Sequence, residues 1–157
     1  MNYAYLKLIH VAAAMIYLGN IIIGLFWMRI AAKTKDINII NFTINGIITA
    51  DKYFTVPSVL FITAGGLLSV VFGHFSILKT GWILWSIIMF TISGLAFGIK
   101  ISPLQKRIQA LTLNKETFTD SEWMNFNKVY AEWDIWALIG VVTSLAAFVM
   151  MTLKIPS

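Results

Sequence analysis

The stretch that decides the fold is Leu8–Met28, LIHVAAAMIYLGNIIIGLFWM, which lies between the charges of Lys7 and Arg29. It contains 21 residues and no Asp, Glu, Lys or Arg. About 20 apolar residues in a helix cross the ~30 Å hydrocarbon core of a bilayer. The run is too long for the hydrophobic region of a signal peptide, and no Ala-x-Ala cleavage site follows it. The stretch therefore predicts a membrane-spanning helix that stays in the protein.

Three further apolar stretches of similar length follow it. The whole chain of 157 residues has a mean hydropathy of +0.80, and only 12% of its residues are charged. About a quarter is usual in soluble domains, so the surplus apolar surface must face lipid. We predict one all-α domain, a polytopic bundle of four transmembrane helices with short amphipathic cytoplasmic helices. The predicted spans are residues 4–32, 54–75, 81–101 and 133–153.

The basic residues indicate how these spans are oriented. Cytoplasmic loops of membrane proteins carry an excess of Lys and Arg. Nine of the 12 basic residues flank or lie in the first-to-second and third-to-fourth connections, and only Lys7, Lys79 and Lys154 lie on the other side. We therefore expect a multi-pass protein of a bacterial plasma (inner) membrane with both termini outside. The net charge of +5 reflects these loops, since no basic stripe with interleaved aromatic residues indicates nucleic-acid binding.

The two cytoplasmic connections also contain helical patterns. Residues 37–49 are apolar and rich in Asn, and we expect an interfacial or bent helix that leads into Asp51. Residues 103–113 alternate apolar with polar positions, which predicts an amphipathic helix on the membrane surface after Pro103 ends the third span. Thr119 or Asp120 is expected to cap a helix that leads into the fourth span.

Polar residues inside a predicted span are candidates for function, because burying them in lipid is costly. Steps of three and four residues along the first span collect its polar and small residues on one face, opposite Ile16, Ile23 and Ile30. Hydrogen bonding between helices is one interpretation of this face, and a haem b or metal site with His10 as the iron ligand is the other. The members of the face are His10, Ala13, Tyr17, Asn20, Gly24 and Trp27.

The second histidine, His74, lies at the outer end of the second span and is a candidate to share a site with His10. Two histidines in a chain without cysteine do not form a closed metal site. The small residues of the second span, Ser58, Gly65, Gly66, Ser69 and Gly73, favour close helix packing, or leave room for a flat cofactor.

Three acidic residues, Asp51, Glu132 and Asp134, cluster at the predicted cytoplasmic mouths of the second and fourth spans. We interpret them mainly as interface anchors with Lys52, Lys100 and Lys128 as partners, and a proton relay is the alternative. No carboxylate lies in the middle of a predicted span, which argues against an ion-coupled transporter. The sequence also lacks a Ser/His/Asp set, a phosphate loop and an HExxH motif.

Several motifs resemble a small bacterial family of predicted integral membrane proteins, and the resemblance covers nearly the whole chain. They are residues 6–11 (LKLIHV) with Gly19-Asn20, residues 51–57 (DKYFTVP) with Gly65-Gly66-Leu67, Gly81-Trp82, residues 103–107 (PLQKR) and residues 151–156 (MTLKIP).

The start of the first span is also distantly similar to HemJ-type protoporphyrinogen oxidases and CopD-type copper membrane proteins. The resemblance to the HemJ type implies that His10 holds haem b. A lysine of that family, four residues after a Trp in the third helix, corresponds here to Ser86, counted from Trp82. The resemblance therefore implies the haem ligand without the basic group that accompanies it.

Two classes of function stay open from the sequence. One is a membrane protein that binds haem b through His10, with Tyr17, Asn20 and His74 around the pocket, for redox or porphyrin-related chemistry. The other is a non-catalytic scaffold or partner subunit, or a bundle that binds lipid or a small molecule. The expected partners are membrane lipid and either a second copy of the chain or a membrane redox protein.

Overall fold

The computed structural model describes residues 3–156, which form four long helical rods and contain no strand. All four rods are long and apolar enough to cross a membrane, so the prediction of an all-α, four-helix membrane protein is confirmed. In chain order the elements are α1 (Tyr3–Thr34), α2 (Ile37–Ala50), a first π-helical segment (Asp51–Thr55), α3 (Val56–Phe72), α4 (Gly81–Ala96), a second π-helical segment (Phe97–Ile101), α5 (Ser102–Thr112) and α6 (Asp120–Leu153).

The second and third rods each widen into one π-helical turn just before a proline, Pro57 or Pro103. The residue before each proline donates its N–H to a carbonyl five positions earlier, Asp51 in the first segment and Phe97 in the second. A proline lacks an N–H and its ring clashes with the carbonyl four positions back, and one wider turn absorbs this conflict without breaking the rod. The expectation that the helix ends at Pro103 is therefore wrong, because it continues to Thr112.

The amphipathic helix expected at residues 103–113 is present as α5, but its apolar face is covered by protein. Leu104, Gln105 and Ile108 are buried, and α5 packs against α2 and α6. Since the rod runs through the second π segment without a bend into the membrane plane, α5 extends along the bundle. The expectation that it lies on the membrane surface is wrong for this reason.

The predicted cap at the start of α6 is confirmed. The Thr119 hydroxyl accepts a hydrogen bond from the Glu122 N–H, and the Glu122 carboxylate accepts one from the Thr119 N–H at 2.8 Å. This reciprocal arrangement satisfies two backbone donors that the first turn leaves free. Lys115 also pairs with Glu122 at 2.6 Å, which ties the loop before α6 to its first turn.

The bundle has two ends that differ in packing. The turn end contains the α1–α2 turn at residues 35–36 and the α5–α6 loop at residues 113–119, and the terminus end contains the start of α1 and the end of α6. Towards the turn end, α1, α2, α5 and α6 enclose the larger hydrophobic core. The bulkiest side chains buried there are Met28, Ile40, Ile44, Phe126 and Trp133.

Towards the terminus end the helices pack mainly as two antiparallel pairs, α1 with α3 and α4 with α6. The buried cluster there is small, and large apolar side chains such as Met15, Leu60 and Val71 are more than 60% exposed. Among the described residues, no Cα of α3 lies within 8 Å of a Cα of α4. The half of the bundle with the lipid-like surface is therefore also the half in which fewer pairs of helices pack on one another.

The predicted inward face of α1 is largely confirmed. Ala13 and Tyr17 are buried, while Ile16 and Ile23 on the opposite face are exposed. Trp27 is a correction, because 55% of its surface is exposed and Met28 is buried instead. Steps of three and four residues average 3.5 per turn, so they drift from a helix of 3.6 residues per turn. Eighteen residues make five full turns, which brings Met28 rather than position 27 into line with position 10.

The tight contact of α1 with α3 predicts a difference between two glycine substitutions. A Cβ at position 65 would lie 3.2 Å from the Cβ of His10, whereas a Cβ at position 94 would meet no atom within 4 Å. We expect Gly65→Ala to lower the free energy of unfolding by about 1–3 kcal/mol through overpacking. The matched variant Gly94→Ala should be neutral or stabilising, since alanine favours helix.

Denaturation in mild detergent, followed by circular dichroism, measures both variants. Equal stability of Gly65→Ala and Gly94→Ala would contradict the close approach of α1 and α3.

Candidate functional site

A buried carboxylate with only neutral partners lies at the first π segment. Asp51 is 7% exposed. Its Oδ1 accepts hydrogen bonds from Asn20 Nδ2 at 3.1 Å and from Thr55 Oγ1 at 2.6 Å, and its Oδ2 accepts one from Gln105 Nε2 at 2.8 Å. The donors come from α1, the π segment itself and α5. Asp51 therefore joins three of the four rods at one point.

The sequence interpretation of Asp51 as an interface anchor is wrong, because its carboxyl group points into the bundle. The lysines expected as its partners have other contacts: the Lys52 ammonium lies 5.6 Å from the centre of the Tyr53 ring, and Lys100 pairs with Glu132 at 3.3 Å. That second pair agrees with the predicted role of Lys100 and Glu132 as anchors at the interface.

The third acidic residue, Asp134, pairs with an arginine instead of a lysine. Arg29 donates from Nε and from a terminal nitrogen to the two oxygens of Asp134, at 2.7 and 3.0 Å. This two-pronged geometry is the stronger form of an ion pair. It connects α1 to α6 on a partly exposed flank of the bundle.

A second buried polar cluster lies deeper towards the terminus end. Ser93 Oγ donates to the carbonyl of Gly140 at 3.0 Å and lies 2.9 Å from the Tyr17 hydroxyl and 2.7 Å from the Ser144 hydroxyl. Tyr17, Ser93 and Ser144 are buried. This cluster joins α1, α4 and α6, so it connects the two antiparallel helix pairs.

A cavity of about 30 Å³ separates the Asp51 cluster from the Ser93 cluster. Both π segments contribute to its wall through Asp51, Phe97 and Ile101. The indole N–H of Trp133 has no hydrogen-bond partner among the described residues, although Trp133 is 2% exposed and lines this cavity. The other lining residues are Tyr17, Asn20, Ile21, Gly24, Leu25, Ile47, Ser93, Gln105, Ala137, Gly140 and Val141.

Polar contacts continue from Asp51 towards the turn end. Gln109 lies one turn beyond Gln105 on α5 and donates to the side-chain oxygen of Asn45 on α2. Asn45 in turn donates to Asn41, and Thr112 donates to the same Asn41 oxygen at 3.3 Å. The α2–α5 contact is therefore held by a ladder of amide and hydroxyl groups that leads to Asp51.

His10 lies apart from this cavity. It is half-buried against α3, where its Nδ1–H donates to the carbonyl of Ile62 at 2.8 Å. A Cβ at position 66 would lie 3.2 Å from its Cε1, so the ring rests on the Gly65-Gly66 pair. His10 is seven residues before Tyr17, about 10 Å along the axis of α1.

The predicted site residues thus divide into two groups. Tyr17 and Asn20 both line the cavity beside Asp51. His74 is exposed in the 73–80 loop. Gly66 lies beside His10, and the helix from Gly66 to Phe72 already extends about 9 Å along its axis before this loop begins. The structure therefore does not bring His74 to the ring of His10.

His10 has one feature in common with histidines that bind metal. A histidine that binds metal usually donates its other ring N–H to a carbonyl or carboxylate, which directs the second nitrogen to the metal. The Nδ1–H bond to Ile62 leaves Nε2 for such a role. No group of three or more His, Cys, Asp or Glu side chains suited to a metal ion occurs in the described part of the chain. Among the described residues that would hold haem b, His10 lies against the Gly65-Gly66 pair.

Ser86, at the position where the HemJ resemblance implies a lysine, is buried and bonds within the bundle. Its hydroxyl donates to the carbonyl of Trp82 at 2.6 Å and lies 3.2 Å from the carbonyl of Ala147. It serves as a contact between α4 and α6.

Sequence reasoning missed the Asp51 cluster, although a signal for it exists. Thr55 follows Asp51 by four residues, a spacing at which two side chains of a helix meet. Ser86 and Ser93 are seven apart in an otherwise apolar helix, which marks one inward face. Gln105 could not be found in this way, because it belongs to the polar side of the amphipathic pattern.

Comparison with known proteins gives one result. No curated protein and no solved structure matches the chain. Residues 4–155 match the family described as "Predicted integral membrane protein (DUF2269)", which agrees with the four apolar rods. Since this match spans nearly the whole sequence, the chain belongs to the DUF2269 family of predicted integral membrane proteins.

Proposed function

We propose that this integral membrane protein is a proton relay in which the carboxyl group of Asp51 takes up and releases a proton inside the bundle. The observation that carries the proposal is the burial of Asp51 among neutral donors alone, Asn20, Thr55 and Gln105. An ionisable group in such surroundings is a default candidate for function in a membrane protein.

The chemistry of the three donors suits a group that changes its protonation state. Three donated hydrogen bonds stabilise the carboxylate, while burial without a cation stabilises the neutral acid. Neither form is fixed by an ion pair. The neutral acid needs one acceptor in place of a donor, and a turn of the Gln105 amide by about 180° supplies its oxygen at the same heavy-atom positions. A permanently charged anchor would instead be expected beside Lys or Arg, as Asp134 is beside Arg29.

The two π segments support the same assignment. Single π-helical turns inside α-helices occur frequently at functional sites. Here two of them meet at one cavity, and the residue that begins the first is Asp51. Separate polar groups lie on either side of this point, Asn45 with Gln109 towards the turn end and Tyr17 with Ser93 towards the terminus end.

The membrane position we propose follows from the charged residues on the outside of the rods. Lys7 and Arg29 are about 33 Å apart along α1, and Gly81 and Lys100 about 29 Å along the third rod. These lengths match a hydrocarbon core of ~30 Å. The turn end then projects from the membrane as a helical head, and Asp51, next to Lys52, lies where the head meets the core.

We further propose that the turn end faces the cytoplasm of a bacterial inner membrane, because nine of the 12 basic residues lie there. The chain has no cysteine, so single cysteines report on topology directly. Ser76→Cys lies in the loop at the terminus end and Glu116→Cys in the loop at the turn end, and both positions are exposed.

We expect a membrane-impermeant maleimide to label Ser76→Cys in intact cells and Glu116→Cys only after permeabilisation. The reverse pattern would place the head on the outside and overturn the proposed orientation.

Replacement of the buried carboxyl group tests the relay. We expect the infrared band of a protonated carboxyl group to appear in wild type as the pH is lowered and to be absent from Asp51→Asn. Proton uptake by proteoliposomes that carry a potassium diffusion potential should fall at least about 100-fold in Asp51→Asn, the range that loss of a positioned acid–base group produces.

Two companion variants make this experiment decisive. Glu116→Gln removes an exposed carboxylate from the loop before α6 and should behave as wild type. Asp51→Glu keeps a carboxyl group and should retain part of the uptake. The relay is excluded if Asp51→Asn takes up protons at the wild-type rate.

A second candidate, a haem b protein with His10 as the iron ligand, is favoured by a specific observation. The Nδ1–H bond to Ile62 orients the His10 ring. In the same half of the bundle α3 and α4 do not pack on each other, which leaves a gap beside α1. Haem would supply one-electron chemistry there. The chain itself would supply the ligand and the apolar surroundings.

The haem hypothesis is tested by the absorption spectrum of protein purified from haem-replete cells, before and after dithionite. A Soret band that disappears in His10→Ala and persists in His74→Ala would support it. Of the two histidines, only His10 has its ring fixed by a hydrogen bond to a neighbouring helix. A colourless wild-type protein would refute it and would leave the relay proposal untouched.

A further inference from the structure

We infer that the cavity between the Asp51 and Ser93 clusters is a water-binding site in which one water molecule connects Trp133 Nε1 to the Asp51 carboxyl group and the Tyr17 hydroxyl. The inference deepens the proposed relay, on which its functional meaning rests. It adds Trp133 as a positioning residue and water as the ligand.

The size of the cavity suits this ligand. A volume of about 30 Å³ exceeds the ~10–15 Å³ that one water requires, and it lies well below the ~300–1,000 Å³ of pockets that hold drug-sized ligands. Water occupies a protein cavity when polar groups line it and leaves an apolar one dry. Here residues of both polar clusters, among them Asp51, Tyr17 and Ser93, line a wall that is otherwise mainly apolar.

The indole of Trp133 supplies the first contact. Its N–H is fully buried and has no acceptor among the described residues. A buried donor without a partner costs about 1–3 kcal/mol. Such groups in native structures usually bond to ordered water. The site therefore needs a ligand that accepts a hydrogen bond from Trp133.

Tyr17 supplies an acceptor on the side of the Ser93 cluster. The single hydroxyl proton of Ser93 is donated to the Gly140 carbonyl, so Tyr17 and Ser144 must donate to Ser93. The oxygen of Tyr17 then keeps its lone pairs free. A ligand in the cavity can donate one hydrogen to it.

Asp51 supplies a second acceptor on the opposite side. Its Oδ1 already accepts from Asn20 and Thr55, whereas its Oδ2 accepts only from Gln105. A carboxylate oxygen has room for about two donors. One molecule that accepts once and donates twice would thus satisfy Trp133, Tyr17 and Asp51, and a buried water typically makes about three such bonds.

The water completes a hydrogen-bonded path. It connects the acid at the first π segment with Tyr17, Ser93 and Ser144, which reach across α1, α4 and α6. When Asp51 is neutral, its Oδ2–H donates to the water. On transfer this O–H bond breaks and a new O–H bond to the water forms, which leaves the carboxylate and a protonated water beside Tyr17. The path changes no covalent bond other than O–H, so it needs no further reactant.

Two variants test the site without removing the acid. Trp133→Phe deletes the indole N–H and keeps an aromatic ring. Gly140→Ala adds a methyl group at the cavity wall, where its Cβ would lie 3.4 Å from Ile101 Cδ1 and 3.7 Å from Ser93 Oγ. Gly94→Ala is the matched control, since a Cβ there meets nothing within 4 Å.

Radiolytic hydroxyl labelling of the full-length protein in detergent, read by mass spectrometry in H₂¹⁸O, detects bound water next to buried side chains. We expect rapid ¹⁸O labelling of Trp133 in wild type, in spite of its burial, and in Gly94→Ala. The labelling should fall by about fivefold or more in Gly140→Ala, because the added methyl group occupies part of a cavity large enough for about one water.

Proton transfer provides the second readout. After a pH jump, we expect the Asp51 carboxyl band to respond about fivefold more slowly in Trp133→Phe than in wild type. A fivefold change in rate corresponds to the free energy of one typical hydrogen bond. Trp85→Phe, at a partly exposed position of α4, should match wild type.

The outcomes separate the two proposals. No labelling of Trp133 in wild type, or equal labelling in Gly140→Ala and Gly94→Ala, overturns the water site even if Asp51 titrates. A labelled Trp133 in a protein whose Asp51 band does not titrate leaves the water site standing and excludes the relay. Should Trp133→Phe fail to fold, Gly140→Ala carries the test alone.

Discussion

A backbone amide that is buried in a packed bundle has no water to bond to, and the rest of this structure follows from how the chain meets that constraint at two prolines. Pro57 and Pro103 each interrupt the ladder of helical hydrogen bonds inside a rod. One π turn before each proline restores the bonding with a step of five residues. The rods therefore continue, and α2 and α5 extend the bundle instead of folding away from it.

The π turns also determine which side chains face inward. An extra residue in one turn shifts the following residues by about 100° around the helix axis. The inward face of α3 and that of α2 are consequently out of phase, and the same holds for α4 and α5. Asp51 begins the first π segment and Gln105 lies one turn beyond the second, and their side chains meet at 2.8 Å.

The sequence predicted what depends on composition and on uninterrupted periodicity. The number of spanning helices, the capping box at Thr119 and the inward position of Tyr17 and Asn20 follow from such patterns and are confirmed. The burial of Asp51 was not predictable in this way, because periodicity cannot be carried across a π turn that only the proline conflict produces. The role of Gln105 depends on the direction of α5, which the same turn fixes.

The polar network weighs against a purely structural interpretation of the bundle. Interhelical hydrogen bonds of serine and tyrosine stabilise helix pairs by modest amounts, and Ser86 and Ser93 fit that role. A carboxyl group is a costly choice for the same purpose, since asparagine would bond to the same neighbours without the cost of burying a charge. The ability of a carboxyl group to gain and lose a proton explains an acid at the point where three rods meet better than packing does.

The separation of α3 from α4 has a mechanical consequence. Among the described residues α3 packs on α1 alone, through the glycine pair at His10, and it joins α2 at the first π segment. Segments with few packing contacts open at lower free energy than the rest of a protein. The part of α3 far from Asp51–Thr55 is therefore expected to move more easily than the core at the turn end, and it is joined to that core through the turn that positions the acid.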